Sequence, residues 1–316
     1  MILFNGVNLR PKKEMNELVS IIVPAYNEEE NIKPLVDAVD SMMKESGLHC
    51  ELLIVDDGST DKTYRIANEV TEGRKNIKVI RHSRNQGKTR AILSGLDASS
   101  GEYIAILDAD LQYSPSDIPL MVEKLRPGCD IVTGWKEGRY KKRFVSSTYN
   151  WLSRILFHIP IHDQNSMKVM RRDVIENINL RKDWHRYIVA LAVDKGYKVS
   201  EVRVKLHPRK FGKAKYQGKG RVAIGVLDLI AVKFQISFMR KPMLLFGSIG
   251  GGLLLAASII GIVALYLRFG LERGYRPLLY LVIFLGLSGL ILFIFGFLAE
   301  AIAGIRDEIK TLKRNK

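Results

Sequence analysis

Apolar residues arrive along this chain in two rhythms. Up to about residue 133 they come in short runs: Leu18-Val-Ser-Ile-Ile-Val23, Glu51-Leu-Leu-Ile-Val55, Ile77-Lys-Val-Ile80, Tyr103-Ile-Ala-Ile-Leu107 and Cys129-Asp-Ile-Val-Thr133. Runs this short, closed by Pro, Asp, Gly or Asn, predict strands buried in a sheet. Between them lie segments of helical spacing, from Asn27-Glu-Glu-Glu30 to about Lys44, from near Lys62, from Thr89 to Ser99 and from Asp117 to Leu125. Acidic residues open the first in keeping with the helix dipole, and Ser59 or Asp61 is placed to cap the second. Strand, turn and helix alternating in this way predict a parallel sheet of right-handed βαβ units, with ligands beyond the carboxyl ends of the strands.

The second rhythm is continuous. Residues 243–267 and 278–299 carry no charged side chain. At about 1.5 Å rise per residue each exceeds a hydrocarbon layer about 30 Å thick, so two membrane-spanning helices are expected. Val222 to Met239 reads as an amphipathic helix before them. Residues 139–158, with a basic start and then Phe144, Trp151, Leu152, Ile155, Leu156 and Phe157, predict either a core helix or a helix at a membrane interface. The expected organisation is an extension over 1–17, a catalytic domain over 18–220, a juxtamembrane helix over 221–241, a two-helix membrane domain over 242–304 and a basic tail over 305–316.

Charge changes the picture in two ways. The net charge of +16 admits nucleic acid, an anionic membrane surface or anionic substrates as partners. Lys310, Lys313, Arg314 and Lys316 follow the second span and Arg240-Lys241 precede the first, outnumbering Arg268, Arg273 and Arg276 in the connector. The positive-inside rule then puts the soluble domain and both termini in the cytoplasm. No apolar core of signal-peptide length precedes the N-terminal charges. Cys50 and Cys129 lack metal-ligand spacing, and a disulfide framework is not expected.

Candidate chemistry concentrates where the fourth strand ends, at Asp108, Asp110 and Gln112. Alternate positions of an extended chain put three oxygen-bearing side chains on one side, and hard oxygen ligands suit Mg2+ or Mn2+ that also binds a diphosphate. A strand exit capping the next helix would use the same residues. The run 203–221 holds eight Lys and Arg and no acid. With Gly212, Gly218 and Gly220 it reads as a flexible loop, a phosphate clamp beside a diphosphate site or a nucleic-acid arm by itself.

The motifs VPAYNEEENI at 23–32, IVDDGSTDKT at 54–63, NQGKTRA at 85–91 and DADLQ at 108–112 resemble the family 2 glycosyltransferases of α/β, Rossmann-like GT-A fold. GWK at 134–136, HDQNSMKVMRRDV at 162–174, HRY at 185–187, PRKFGKAKY at 208–216 and the two spans resemble the polyprenyl-phosphate branch, which includes bactoprenol glucosyltransferases and dolichyl-phosphate mannose synthases. The resemblance covers about residues 18–303. It implies that Pro24, Tyr26, Glu28, Val55 and Asp57 hold the donor nucleotide, that Asp108 and Ala109 touch sugar or ribose, and that Asp110 and Gln112 bind the metal. Lys136, Arg209 and Lys215 would face the diphosphate, and Arg143 and Ser147 the lipid phosphate. Asp108 or Asp163 would orient the attack.

The resemblance further implies inverting transfer of one hexose from a nucleotide sugar to polyprenyl phosphate in the membrane, UDP-glucose being the first choice and GDP-mannose the alternative. A homo-oligomer packed through the spans, where Gly250-Gly-Gly252 permits close approach, is a further expectation. Lys136 stands where relatives often have Arg, Ala214 where many have Ser, and the QxxRW signature of processive synthases is absent, residues 181–187 reading RKDWHRY. A membrane-tethered nucleic-acid binder would explain the basic run but leave the strand-end acids without a role, so no nucleic-acid partner is expected.

Overall fold

The computed structural model describes residues 17–126, 128–137, 151–209, 211, 227, 229–234 and 242–314. The chain divides into two units, the first ending at Val222 and the second starting at Ala223.

In the first unit β1 (Val19–Ala25), β2 (Cys50–Asp56), β3 (Ile77–Arg81) and β4 (Tyr103–Ile106) alternate with α1 (Glu29–Ser46), α2 (Thr63–Thr71) and α3 (Lys88–Ala98). They are followed by α4 (Ile118–Leu125), β5 (Ile131–Glu137), a helical stretch at 151–157, β6 (Lys168–Arg171), α5 (Arg172–Asn177), α6 (Ile188–Asp194) and β7 (Val199–Lys205). The strands form one sheet in the order β3-β2-β1-β4-β6-β5-β7.

The parallel expectation holds for the first four strands, and β5 pairs parallel with β7. It fails at β6, which runs antiparallel to both β4 and β5. The inversion has a consequence for chemistry, because β6 begins where β4 ends and so brings its first residue, Lys168, to the same sheet edge as the acids after β4.

The strands are apolar because the sheet is covered on both sides. β1 and β2 are buried almost throughout, and Ile32, Leu35, Val36 and Val39 of α1 join Met121, Val122 and Leu125 of α4 in one core cluster. On the other face α3 lies so close that a Cβ on Gly95 would stand 2.5 Å from Ile22. The cap position of α2 is Lys62 and carries no side-chain cap bond, so neither Ser59 nor Asp61 is the cap; Asp61, one residue earlier, accepts the Thr63 N–H at 2.9 Å.

In the second unit α7 (Pro242–Leu265) continues through a wider turn at Tyr266–Gly270, and α8 (Arg276–Arg314) follows. Stretches 242–270 and 276–305 are long and apolar enough to cross a membrane. Helix α8 runs on past residue 304 to Arg314, into the expected basic tail. The two helices touch backbone to backbone, since a Cβ on Gly250 would stand 2.7 Å from the Gly289 carbonyl oxygen. Gly250 is thus occupied within the chain, and Gly251 and Gly252 face open space. Glu300 accepts the Met243 N–H at 3.0 Å and satisfies one open donor in the first turn of α7.

Candidate active site

The carboxyl ends of β1 and β2 are held level by their ladder, in which Pro24 faces Val55 and Ala25 faces Asp56. The loops beyond them are tied side chain to backbone. The Asn27 N–H donates to Ser59 Oγ at 2.9 Å, and Asn27 Oδ1 accepts the Thr60 N–H at 2.9 Å. The Glu28 N–H donates to Thr63 Oγ1 at 2.8 Å, and the Glu28 carboxylate accepts from Asn31 Nδ2 at 2.7 Å. Asn27 adopts a positive φ of 51°, which Asn tolerates better than bulkier residues. Pro24, Tyr26, Glu28, Val55 and Asp57 therefore gather at two adjacent strand ends, as expected.

Asp57 is first of all a builder of this wall. It is buried, and its oxygens accept the N–H groups of Gln86 at 2.9 Å and Gly87 at 2.8 Å and lie 2.7 Å from His82 Nδ1. A carboxylate has about four acceptor positions, so one remains for a ligand. Gly58 beside it has φ +71°, and a Cβ there would stand 2.4 Å from the Arg84 carbonyl carbon. Gly58, Ser59, Arg81, His82 and Ser83 line a cavity of 460 Å³ at this end of the sheet.

At the end of β4 the arrangement differs from the alternation expected for an extended chain. The strand stops at Ile106, residues 109 and 110 turn, and Leu111 has φ +53°. Within this turn the Gln112 N–H donates to Asp110 Oδ1 at 3.2 Å, and the Gln112 carbonyl accepts the His207 N–H at 2.9 Å. Asp108 and Asp110 consequently meet different cations: Lys88, at the start of α3, pairs with Asp108, and Arg209, just beyond β7, pairs with Asp110. Ala109 between them is buried.

These pairings set the electrostatics. Loss of water works to raise the pKa of Asp108, but Lys88, with Lys168 and His185 behind it, outweighs this and holds the carboxyl below its usual range. Asp110 is pushed up by burial and by the charge of Asp108, with the Gln112 N–H and Arg209 opposing. Two acids that repel each other and keep oxygen donors two residues apart suit a hard divalent cation. Among the described residues no third His, Cys, Asp or Glu joins such a group. A cation held by Asp110 and Gln112 would complete its shell from diphosphate and water, the habit of Mg2+.

A third pair lies nearby. Lys136 bonds Asp163 at 3.0 Å, and Asp163 also accepts the Asn165 N–H at 2.9 Å. Burial opposes the charge on Lys136, but Tyr113 and Asp163 outweigh it and raise its pKa. Lys168 is buried, donates to the Ser166 carbonyl at 2.7 Å, and is pushed down to about 8 by burial and by Lys88 and Lys136. Asp108, Asp110, Asp163, Lys136 and Arg209 thus belong to one charged cluster. Arg143, Ser147 and Lys215 lie outside the described residues, as does most of the basic run beyond Arg209.

Sequence reasoning gave no role to Lys88, Thr89, Lys168 or His185. Each stands in a quoted motif, NQGKTRA, HDQNSMK or HRY, so position was available and function was not. Nothing in the local pattern says that a lysine at a helix start will turn to an acid twenty residues on.

Sheet order, helices on both faces and acids at the end of a central strand define a GT-A glycosyltransferase. A family model described as glycosyl transferase family 2 matches residues 20–178. A dodecaprenyl-phosphate galacturonate synthase of Rhizobium johnstonii is 35% identical over 300 residues, covering 90% of this chain and 87% of that protein. An undecaprenyl-phosphate 4-deoxy-4-formamido-L-arabinose transferase of Pseudomonas paraeruginosa is 28% identical, covering 94% and 88%. The chain belongs to glycosyl transferase family 2, in its polyprenyl-phosphate branch. Glucosyl-3-phosphoglycerate synthase of Mycobacterium tuberculosis, solved with Mn2+, UDP and phosphoglyceric acid, shares the fold at TM-score 0.55 and 18% identity over 70% of this chain and 78% of that one.

Proposed function

We propose that this protein moves one hexose, with inversion, from a nucleoside diphosphate sugar to a polyprenyl phosphate at the cytoplasmic face of a membrane. The observation that carries the reading is the pairing of each acid after β4 with its own cation, Asp108 with Lys88 and Asp110 with Arg209. An anionic diphosphate entering here offers Arg209 a new partner and frees Asp110 to take a metal. Lys136 adds a half-buried positive charge to the same cluster.

A lipid phosphate is already ionised at neutral pH, so its oxygen attacks the anomeric carbon without needing a strong base. The bond to the nucleoside diphosphate breaks as the new C–O bond forms, and the leaving oxygen gathers negative charge. Bound Mg2+ or Mn2+, held by Asp110 and Gln112, would supply Lewis-acid stabilisation of that charge. Arg209 and Lys136 serve the same end from the protein. Asp108 and Asp163 orient the sugar and the attacking phosphate, and Pro24, Tyr26, Glu28, Val55 and Asp57 cradle the nucleotide. Arg143 and Ser147 are assigned to the lipid phosphate, and Lys215 to the diphosphate.

UDP is the preferred nucleotide. The named relatives carry galacturonate or formamido-arabinose, so a glucose donor competes with modified sugars at this site. A dolichol-phosphate mannosyltransferase of Pyrococcus furiosus, 30% identical over 64% of this chain, keeps GDP-mannose as the second reading. The test is transfer of radiolabel from UDP-glucose, UDP-galactose, UDP-galacturonate and GDP-mannose to undecaprenyl phosphate by the full-length protein in detergent. Label is expected in the organic extract from one UDP-sugar, dependent on lipid phosphate and divalent metal. Absence of lipid label from every donor overturns the reading.

A further inference from the structure

His185 stands outside every role assigned above, yet it lies against the charged cluster. It is carried by a short 3-10 turn, Trp184–Tyr187, entered through Asp183 with φ +64°. That turn is fastened to the start of α3. The main-chain N–H of His185 donates to Thr89 Oγ1 at 3.3 Å, and the same hydroxyl lies 3.0 Å from His185 Nδ1. Thr89 directly follows Lys88, whose ammonium grips Asp108. A Cβ on Gly87 would come within 4.0 Å of Asp183, so the turn and the start of α3 are close on both sides of Lys88.

One tautomer of the imidazole uses every proton at this contact. Thr89 is buried, and among the described residues its hydroxyl has no acceptor other than His185 Nδ1. Of the two tautomers, the one with the ring proton on Nε2 lets the hydroxyl accept the main-chain N–H and give its own proton to Nδ1, so that no proton at this contact goes unused. The ring stays neutral at physiological pH: burial, then Lys88, Arg186 and Lys168, push its pKa down to about 3 against the opposing pull of Asp108. Lys168 comes to this face because it stands opposite Ile106 in the β4–β6 ladder, and paired residues project to the same side. Among the described residues Nε2 has no partner. In that tautomer the ring offers a donor in the same charged cluster as the Asp108 carboxylate, close enough for each to act on the other's charge.

We propose that His185 reads the transferred sugar, its Nε2–H donating to one ring hydroxyl while Asp108 takes part in holding the same sugar. The proposal rests on the transferase reading above and narrows it. A neutral donor adds little for a diphosphate already faced by lysines and arginine. A hydroxyl, in contrast, can accept from Nε2–H and donate to a carboxylate.

The test couples protein and substrate changes. With full-length protein and undecaprenyl phosphate, kcat/KM is measured for the best of UDP-glucose, UDP-galactose and UDP-galacturonate and for its 2-, 3- and 4-deoxy forms. One deoxy donor is expected to be worse than its parent by about 10- to 100-fold, the cost of leaving a site donor unpaired. In His185→Phe, which keeps a ring and loses the N–H, that ratio collapses towards one while the other deoxy ratios hold. His185→Gln restores part of it. Thr89→Val, which unlocks the ring, shrinks the same ratio and serves as the second probe if His185→Phe does not fold. Wild-type indifference to every deoxy change, or equal ratios in wild type and variants, overturns the proposal. Loss of transfer from all parent donors in wild type instead overturns the transferase reading beneath it.

Discussion

The two ends of the sheet edge lean on different partners for their carboxylates. Beyond β1, β2 and β3 they accept backbone N–H groups: Asp57 takes those of Gln86 and Gly87, Asp61 that of Thr63, and Glu29 that of Lys62. Beyond β4, β5 and β7 each also faces a side-chain cation, Asp108 with Lys88, Asp110 with Arg209 and Asp163 with Lys136, although Asp110 and Asp163 keep one backbone N–H apiece. Bonds to backbone fix the shape of a loop, because the partner cannot swing away. Bonds between long side chains can be exchanged for bonds to a ligand. The first end is suited to holding an unchanging nucleotide and the second to chemistry in which charge appears and leaves.

The widest break in this contrast comes from Asp110→Asn. The side chain keeps its size, so the turn and the Gln112 N–H contact survive, but the charge needed by a divalent cation is gone. Transfer is expected to fall on the order of 10²- to 10³-fold or more, the scale seen when one charge-stabilising group is removed from a reaction centre. The melting temperature should stay within a few degrees of wild type, because Arg209 is close enough to solvent to find water. Retained rate at saturating Mg2+ or Mn2+ would remove Asp110 from the metal site.

Asp57→Ala probes the other end and should act through stability first. It leaves buried His82 without its acceptor, at about 1–3 kcal/mol before relaxation, and the Gln86 and Gly87 N–H groups without theirs where water can reach, at less. A melting temperature lower by several degrees is expected, with the KM for the nucleotide sugar raised as the loop over 84–87 loosens. Full stability with only a KM effect would mean that the carboxylate serves the ligand and not the loop.

Much of the nucleotide end was legible in sequence. Short apolar runs closed by polar clusters gave β1 to β4 nearly to the residue, whereas the cap of α2 falls on Lys62, one residue past Asp61. What misled was geometry that depends on one torsion or a distant partner. Alternation through Asp108, Asp110 and Gln112 presumed an extended chain, whereas Leu111 in the left-handed region turns it. The inverted strand β6 is four residues long and opens with a charged lysine, so its pattern carries little signal. Arg209 meets Asp110 across ninety-nine positions of chain, a separation at which no periodicity reports contact. Motif resemblance named Arg209 all the same, but it could not say that the acid would be its partner.

The smallest effect sharpens the contrast where the two ends meet, at Thr89 and His185. Free histidine takes a proton below about pH 6.5, whereas His185 in the folded protein resists until about 3. Between these values the unfolded chain binds more protons than the folded one, so stability rises with pH across this window and is lost as pH falls below 6.5. The slope is limited to about 1.4 kcal/mol per pH unit for one group. His185→Gln removes that proton and should make the protein less acid-sensitive. Between pH 7 and pH 5 its melting temperature should fall by a few degrees less than that of wild type, as a scan of both proteins in the same detergent would measure. Parallel curves would mean that the imidazole protonates freely in the fold. The lysines around it would then be too well solvated to hold it neutral, and the charge-dominated end of the sheet would stop short of α3.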